Sequence, residues 1–479
     1  NIPTAPLHPR YLRFEGTGGS YGSAYGSLSG AVTSAGFRLM GAASYRRSDG
    51  YRYNTDFDNT NAYLRATYDS DKAGIFDFQA GYQLRSFGSN GFYAGYNPDQ
   101  WERTSTALAS MRWSKGVGAW TLAGSVSYRK NFDRYDWTRG QAMNRHNTDN
   151  IGADLTAHLQ WDGGTTSLGG DYVYNHIFST NLGEKLSSPR GDYTCADSRH
   201  VGNIWLRHTK HWNRVSVSAS AGAAFSPYGT SALWNASLSY RPARGFDIEA
   251  GASQSMRLPT FTDLYYSSPA QVNNLDLVPE HAITYRLRAA YARGAWSGAA
   301  SAFYRDGRDI IDWVWHADGE YAGKWHSEQT NSLSTLGAEI AGGYASDKGV
   351  LRQATISYGW TDSSQDGTLV TRNAMDFMRH KAAATVTVAF LRDFTLSVAG
   401  SVFDRNGSYT FYPVAGDSSQ TEIRDYKPYA LLDARLSWQR GIWQVYLDAT
   451  NITSTDYCDM GGLPLPGRWF TAGLVVTIR

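Results

Sequence analysis

The sequence predicts an all-β protein, a 22-stranded antiparallel transmembrane β-barrel with long extracellular loops and short periplasmic turns. Three observations predict it. Apolar residues recur at every second position along much of the chain. Tyrosine and tryptophan are abundant, with 32 Tyr and 16 Trp among 479 residues, while only 18% of the residues are charged. Short connections also alternate with mostly longer ones. A barrel carries its lipid-facing residues at alternate strand positions, so a membrane location is compatible with this composition.

The alternation is clearest near the C-terminus, where apolar residues occupy every second position from Phe470 to Ile478. Successive strand residues face opposite sides of a sheet, so such a segment has one apolar and one polar face. The same pattern recurs over residues 120–128, 384–390, 430–438 and 443–449.

Several of these apolar faces end in an aromatic residue, as expected where a strand meets lipid headgroups. The examples are Tyr128, Trp360, Trp438 and Trp443. A soluble β-sandwich or propeller is the alternative. The length disfavours a sandwich, and no repeat of about 40–50 residues supports a propeller.

The connections predict the strand number. Ten short turns fall near residues 34–36, 69–73, 114–117, 162–165, 211–214, 241–245, 293–295, 345–349, 391–394 and 439–441. Eleven further connections, mostly long, fall near residues 18–22, 46–58, 86–101, 130–149, 178–200, 225–229, 256–280, 307–332, 361–380, 404–427 and 451–468. Together they imply 22 strands, the number found in outer-membrane transporters whose lumen is plugged.

Composition and motifs exclude several classes of function. The net charge of +2 and the lack of a basic tract give no reason to expect nucleic-acid binding. No run of 18 apolar residues predicts a transmembrane helix, and residues 1–9 lack the features of a signal peptide. The sequence has no H-E-x-x-H or P-loop motif, so we expect neither an enzyme nor a resident cofactor.

Candidate metal ligands are weak. Asp56 and Asp58 offer oxygen ligands at alternate positions and could bind calcium, but the segment lacks the Gly and Glu of an EF-hand, which favours an ordinary acidic loop.

Histidines offer two further groups of candidates. His208 and His211, with His200 nearby, could form a metal cluster, but they flank a short turn. His316 and His326 share one predicted loop and could bind haem, although two solvated histidines are the favoured interpretation.

Aromatic side chains in the predicted loops are the expected recognition surface. A large, flat, weakly charged ligand needs apolar contact area with a few polar groups, and Tyr and Trp supply both. Girdle positions and loop packing are the alternative roles. The candidates for substrate contact are Phe92, Tyr93, Tyr96, Trp101, Trp137, Tyr265, Tyr266, Trp313, Trp315 and Trp325.

Four segments resemble those of TonB-dependent receptors. Residues 256–266 (MRLPTFTDLYY) and 274–280 (NLDLVPE) resemble the family's mid-barrel signature. Residues 448–452 with Tyr457 resemble its late N-L…Y segment, and residues 466–470 (PGRWF) resemble the start of its last strand. The resemblance covers nearly the whole chain, but only the barrel half of such a receptor.

Within this family the chain resembles the BtuB-like cobalamin (vitamin B12) receptors of Bacteroidetes. The segments that carry the resemblance are residues 90–102 (NGFYAGYNPDQWE), 260–266 and 309–314 (DIIDWV). The resemblance implies a Gram-negative outer-membrane location and active uptake of vitamin B12 or a related corrinoid. Haem or siderophore uptake is one alternative. A plugless barrel that anchors surface lipoproteins or an export complex is another, and a passive pore is a third.

The resemblance also implies partners. Residues 1–479 would form the barrel, and the N-terminal plug domain, the TonB box and the signal peptide would lie outside this chain. Expected partners are outer-membrane lipid, the plug, the TonB–ExbB–ExbD complex and a cobalamin-binding surface lipoprotein. A plug or water would face the predicted inward charges, namely Arg129, Arg286, Arg288, Lys381, Asp433, Arg435 and Asp448.

Cys195 and Cys458 lie in predicted loops almost opposite each other across the barrel, so we expect two free thiols.

Overall fold

The strands close on themselves into a barrel. The computed structural model describes residues 10–365 and 369–479, and within them 22 antiparallel strands form one closed sheet. The first and last strands pair with each other, from Leu12 opposite Ile478 to Gly19 opposite Thr471. The predicted 22-stranded antiparallel barrel is therefore confirmed. Closure leaves no unpaired sheet edge.

The barrel strands run in chain order around the wall. They are β1 (Arg10–Gly19), β2 (Ser23–Ser34), β3 (Phe37–Ser48), β4 (Phe57–Ser70), β5 (Gly74–Gly88), β6 (Trp101–Val117), β7 (Trp120–Thr138), β8 (Gln141–Trp161), β9 (Gly164–Ser179), β11 (Tyr193–Trp212), β12 (Val215–Ser226), β13 (Gly229–Tyr240), β14 (Phe246–Arg257), β16 (Glu280–Arg293), β17 (Trp296–His316), β18 (Lys324–Ala345), β19 (Leu351–Gln365), β20 (Met378–Phe390), β21 (Phe394–Arg405), β24 (Tyr429–Arg440), β25 (Trp443–Thr450) and β26 (Trp469–Ile478).

Smaller elements lie in the connections. They are β10 (Glu184–Arg190), which pairs with β11, β15 (Gln271–Val272), which pairs in parallel with β18, the hairpin of β22 (Ser408–Phe411) and β23 (Glu422–Asp425), the helix α1 (Phe261–Tyr265) and a 3-10 turn (Met460–Gly462). No helix in the described part of the chain is long and apolar enough to cross a membrane.

The two ends of the barrel differ. At one end, called the turn end, all ten connections are short: residues 35–36, 71–73, 118–119, 162–163, 213–214, 241–245, 294–295, 346–350, 391–393 and 441–442. At the other, the loop end, the connections range from two residues at 139–140 to 23 residues at 406–428. The ten predicted short turns correspond to the turn end.

One expected loop is instead strand. Residues 130–149 were expected to form a long connection, but β7 and β8 continue through them and turn at residues 139–140. Gly140 adopts the positive φ that this tight turn requires. The connection expected at 307–332 likewise shrinks to 317–323. Residues 366–368 of the connection expected near 361–380, and the N-terminal stretch 1–9, lie outside the described residues.

The outer face of the wall is apolar. Large hydrophobic side chains are exposed at alternating positions, for example Leu238, Leu287, Ile340 and Ile356. Exposed tryptophans stand at strand ends on the turn-end rim, namely Trp120, Trp161, Trp212, Trp296 and Trp443. An apolar band bordered by aromatic residues is typical of barrels that face lipid.

The inner face carries paired charges. Arg435 and Asp448, two of the predicted inward charges, form a two-pronged ion pair at 2.5 and 2.6 Å. The Tyr446 hydroxyl donates to Glu15 across the closing strands at 2.7 Å. Part of the inward charge is therefore neutralised within the wall. Cys195 and Cys458 are both free thiols, as predicted.

Candidate functional site

A short helix anchors the connection between β14 and β16, here called loop B (residues 258–279). The Thr260 hydroxyl accepts a hydrogen bond from the Asp263 amide, and the Asp263 carboxylate accepts one from the Thr260 amide. This reciprocal cap satisfies the free amides at the helix N-terminus. Leu264 is buried with Leu277 and Ile311. The packing fixes the helix that leads into the two predicted tyrosines of this loop.

An ion pair fastens the base of loop B. The Arg257 guanidinium donates to Glu280 at 2.5 Å and to Asp263 at 3.4 Å, and the Glu280 carboxylate raises the Arg257 pKa. Glu280 also accepts from the Ile311 amide at 2.8 Å. The first and last residues around the loop are thereby tied to β17. Burial and a hydrogen bond to Asp197 raise the pKa of the Tyr265 hydroxyl.

Buried amides shape the connection between β5 and β6, here called loop A (residues 89–100). The side chain of Gln100 is fully buried and accepts from the Tyr93 amide at 3.1 Å. The Asn97 amide group donates to the Trp137 carbonyl at 2.9 Å, which ties loop A to β7. Phe92 and Tyr93 are exposed and pack edge to face, with ring centroids 4.9 Å apart.

Tyrosines from four segments converge at the loop end. Tyr93 packs edge-on against Tyr135 at 4.8 Å, and Tyr96 packs against Tyr412 at 5.5 Å. Burial raises the pKa of Tyr135, and the neighbouring Tyr266 and Tyr96 add to the shift. Residues of loop A and of loop B thus lie near Tyr135. We call this group the tyrosine cluster, and its members are Tyr93, Tyr96, Tyr135, Tyr266 and Tyr412.

Two carboxylates lie beside the tyrosine cluster. The Tyr93 hydroxyl donates a short hydrogen bond to Glu102. Burial raises the pKa of Glu102, and burial together with the charge of Glu102 raises the pKa of Asp133 to about 7. Within the described residues, one oxygen of Asp133 and the Tyr135 hydroxyl have no hydrogen-bond partner. Both atoms are buried, and their hydrogen-bonding capacity is unused within this part of the chain.

The remaining predicted aromatics of this region line its rim. Trp137 is exposed and packs edge-on against Tyr96 at 6.0 Å. The guanidiniums of Arg134 and Arg139 lie 5.6 and 5.8 Å from the Trp101 ring. The contact with Tyr96 places Trp137 beside the tyrosine cluster, whereas Trp101 lies against the two arginines.

The predicted calcium ligands have other partners. Both oxygens of Asp56 accept from Arg139 at 2.9 Å, and Asp58 accepts a short hydrogen bond from Tyr45. Each carboxylate is thus engaged within the protein.

The predicted tryptophans of β17 and β18 are arranged differently from the tyrosines. Trp313 is only 7% exposed, whereas Trp315 is 39% exposed and meets Trp325 edge-on at 5.5 Å. The next connection lies against them: Arg372 donates its amide to the Trp313 carbonyl at 3.0 Å, and Trp315 donates to Val370 at 2.9 Å. We call these three tryptophans the tryptophan hairpin.

Asp312 holds that connection in place. The carboxylate is buried and accepts from the Asn373 amide at 2.9 Å, the Asn373 side chain at 2.7 Å and the Ala374 amide at 2.7 Å. Backbone donors aimed at a buried carboxylate compensate its desolvation.

The histidine candidates separate into two groups. His316 and His326 both donate to one oxygen of Glu328, at 2.6 and 2.7 Å, and are not two separately solvated side chains. The other candidates bond singly to hydroxyls: His200 to Tyr172, His208 to Thr166 and His211 to Ser216.

The sequence patterns do not identify four of the seven residues that form the tyrosine cluster and its two neighbouring carboxylates. Tyr135 and Asp133 lie within residues expected to be a loop, and Glu102 and Tyr412 were not singled out. The alternation of inward polar residues along β7 was the available signal. It is masked because the outward positions above the apolar band, such as Lys130 and Arg134, are polar as well.

The closed 22-stranded barrel is the fold of an outer-membrane receptor. The family described as TonB dependent receptor-like, beta-barrel matches residues 41–452, so the chain belongs to that family. Its members are receptors and transporters, not enzymes.

Solved structures share the fold. The chain is similar to the copper transporter OprC, with 14% identity and a TM-score of 0.79 over 98% of this chain and 80% of that one. It is similar to the FrpB iron transporter of Neisseria meningitidis, with 11% identity and a TM-score of 0.78 over 99% and 82%. The siderophore receptor PirA of Pseudomonas aeruginosa gives 11% identity and 0.74 over 99% and 82%.

A relative in sequence is the vitamin B12 transporter BtuB of Photobacterium profundum. It is 23% identical over 140 residues, a stretch that spans 29% of this chain and 22% of that protein.

Proposed function

We propose that this chain is the barrel of a TonB-dependent active transporter whose cargo is cobalamin or a related corrinoid. The observation that carries the cargo assignment is the tyrosine cluster. Five rings from loops A and B, β7 and the connection that contains β22 give broad apolar contact, and their hydroxyls provide hydrogen-bonding groups at the ring edges. Of the predicted contact residues, Tyr93, Tyr96 and Tyr266 belong to the cluster.

The charges around the cluster favour a neutral ligand with many amide groups. An anionic ferric siderophore would meet the carboxyl groups of Glu102 and Asp133, and like charges repel in a partly desolvated site. A corrinoid carries amide side chains around its ring. The neutral carboxyl form of Asp133 can donate to an amide carbonyl, while its ionised form accepts from an amide NH₂. The raised pKa of Asp133, about 7, makes both forms accessible near neutral pH.

The similarity to the vitamin B12 transporter of P. profundum also supports a corrinoid cargo. The family and the fold support an outer-membrane location, and the resemblance of residues 90–102 favours a Bacteroidetes origin. In this proposal a plug domain carrying a TonB box fills the lumen, and the TonB–ExbB–ExbD complex supplies the energy for uptake. A surface lipoprotein that binds the vitamin covers the loop end, and the apolar outer face contacts membrane lipid.

Calorimetry on the complete protein, purified in detergent, tests the cargo. We expect cyanocobalamin to bind one molecule per chain and haemin or a ferric catecholate siderophore to give no specific heat. Tyr96→Ala and Tyr266→Ala should each weaken cyanocobalamin binding about tenfold or more, because a truncated anchor in an aromatic site typically costs about 2 kcal/mol.

Tyr240→Ala is the matched control, since Tyr240 is an exposed tyrosine at the turn end. Its affinity should stay within about twofold of the unmodified protein. Saturable haemin or siderophore binding without cobalamin binding would replace the corrinoid by that alternative. Loss of binding in all three tyrosine variants alike would remove the tyrosine cluster from the proposal.

A further inference from the structure

Three metal-ligating side chains converge at the tip of the β17–β18 pair. In the antiparallel register, Val314 lies opposite His326, and the alternation of strand residues brings His316, His326 and Glu328 to one face. The ligand atoms of these three side chains lie within 4.8 Å of one another. Among the residues that the structure describes, they are the one such group of three.

The surroundings hold these side chains in place. Tyr321 stacks on the His326 ring at 4.0 Å, with 19° between the planes, and lies edge-on to His316 at 5.7 Å. The Gly323 amide donates to the His316 carbonyl at 2.8 Å and closes the turn. On the other side, Val272 of β15 pairs with His326. A site whose ligands are fixed before binding loses little entropy when an ion arrives.

The donor set suits a divalent transition metal. Two imidazoles and one carboxylate are ligands that Zn²⁺ and Cu²⁺ accept, at about 2.0–2.2 Å from each ligand atom. The hard cations Ca²⁺ and Mg²⁺ prefer sites made wholly of oxygen. In the absence of an ion, both imidazoles donate N–H groups to the same Glu328 oxygen. Coordination by these two nitrogens requires that each proton moves to the other nitrogen of its ring or, from an imidazolium, to solvent, because only a nitrogen lone pair can coordinate.

Neighbouring charges leave the site open to an ion. Asp312 lies opposite Glu328, but its oxygens are occupied by Asn373 and Ala374, so it is not a further ligand. The side chains of His316 and Glu328 are 28% and 26% exposed, which gives an ion a path from solvent. Lys324 lies opposite His316 and is the nearby cation of the strand pair.

We propose that His316, His326 and Glu328 bind one divalent transition-metal ion of the Zn²⁺ or Cu²⁺ type. Three protein ligands leave a fourth coordination position open to water or to a donor atom of another molecule. The bound ion links the ends of β17 and β18 and stabilises the tip of this strand pair. The site is independent of the corrinoid proposal, since it lies at the tip of β17 and β18 and not in the tyrosine cluster.

Titration of the chelator-treated complete protein in detergent tests the site. We expect one Zn²⁺ or Cu²⁺ per chain, and Cu²⁺ should show electron paramagnetic resonance couplings to two nitrogens. Loss of even an outer-shell partner costs about 10–100-fold in metal affinity, so His316→Gln and Glu328→Gln should each weaken binding about 100-fold or more. His316 lies at the exposed tip, so its variant should fold normally.

His200→Gln is the matched control, because His200 bonds only to a tyrosine hydroxyl and should not alter metal affinity. Ca²⁺ should not compete with Zn²⁺. Absence of a stoichiometric site would overturn the proposal. So would an unchanged affinity in both ligand variants, or an equal loss in His200→Gln. These outcomes leave the cobalamin titration unaffected and so separate the two proposals.

Discussion

The tyrosine cluster and the tryptophan hairpin are both aromatic and both lie at the loop end, but they differ in how their polar atoms are used. In the hairpin, Trp313 is buried and backbone hydrogen bonds from the following connection cover it. In the cluster, the Tyr135 hydroxyl and one oxygen of Asp133 have no partner among the described residues. The backbone polar groups of the hairpin thus have hydrogen-bond partners within the protein, whereas the cluster retains unused hydrogen-bonding capacity.

This difference separates packing from recognition. A buried aromatic surrounded by backbone hydrogen bonds contributes mainly to stability. A ring that is half exposed, with a hydroxyl beside a desolvated carboxyl group, has contact area and polar capacity left for another molecule. Substitutions in the two regions should therefore affect different measured quantities.

Truncation in the hairpin should have the largest effect, and on stability. Trp313→Ala should reduce the free energy of local opening of the hairpin by about 3 kcal/mol, because it leaves a large cavity. Hydrogen exchange of the amides from Ile310 to His316 would then be faster by about 100-fold. The more exposed Trp315→Ala is the control and should change exchange by less than about tenfold. Equal effects of both variants would contradict the distinction between buried and exposed tryptophans.

Removal of the buried carboxylate charge should have the next largest effect, and it depends on pH. The pKa of Asp133 is raised to about 7 in the folded protein. Between pH 4 and pH 7 the folded state therefore retains a proton that the unfolded chain has lost, so stability falls as the pH rises through this range. Asp133→Asn removes this loss. Its free energy of unfolding should exceed that of the unmodified protein by about 2 kcal/mol at pH 8 and should not differ from it at pH 4.

Denaturant unfolding of the detergent-solubilised protein at pH 4, 6 and 8 measures this effect. Asp71→Asn changes an exposed turn carboxylate and should give a difference that does not vary with pH. A pH-independent effect of Asp133→Asn would show that the carboxyl group is not desolvated.

Loss of a single hydroxyl should have the smallest effect, and on affinity alone. Tyr135→Phe removes a buried group that has no partner, so stability should change by less than about 0.5 kcal/mol. Cyanocobalamin affinity should fall about fivefold, because one ligand hydrogen bond is worth about 1 kcal/mol. Calorimetry and unfolding of the same preparation separate the two. A destabilised variant with unchanged affinity would place Tyr135 with the hairpin as a packing residue.

Period-two alternation was sufficient to predict the strands that face lipid, because every apolar position there has the same role. It failed at residues 130–149, where both faces are polar and the sequence resembles a loop. The strands nevertheless continue, since backbone pairing from Lys130 opposite Asp149 to Thr138 opposite Gln141 does not require an apolar face.

The site was harder to predict than the wall. Tyr93 and Tyr266 were identified as loop aromatics, but their meeting at Tyr135 depends on how loops A and B fold inward. His326 and Glu328 are two residues apart in the sequence. His316 joins them only through the register of β17 and β18, which the sequence pattern does not specify.

The location of cobalt in crystals of the complete protein with cyanocobalamin tests whether the tyrosine cluster binds the cargo. Anomalous diffraction at the cobalt absorption edge locates the metal of the corrin ring and distinguishes it from zinc or copper bound by His316 and His326. We expect one cobalt peak beside Tyr135 and Tyr266. A peak beside Trp315 and Trp325, or an ordered barrel with no cobalt peak, would contradict it.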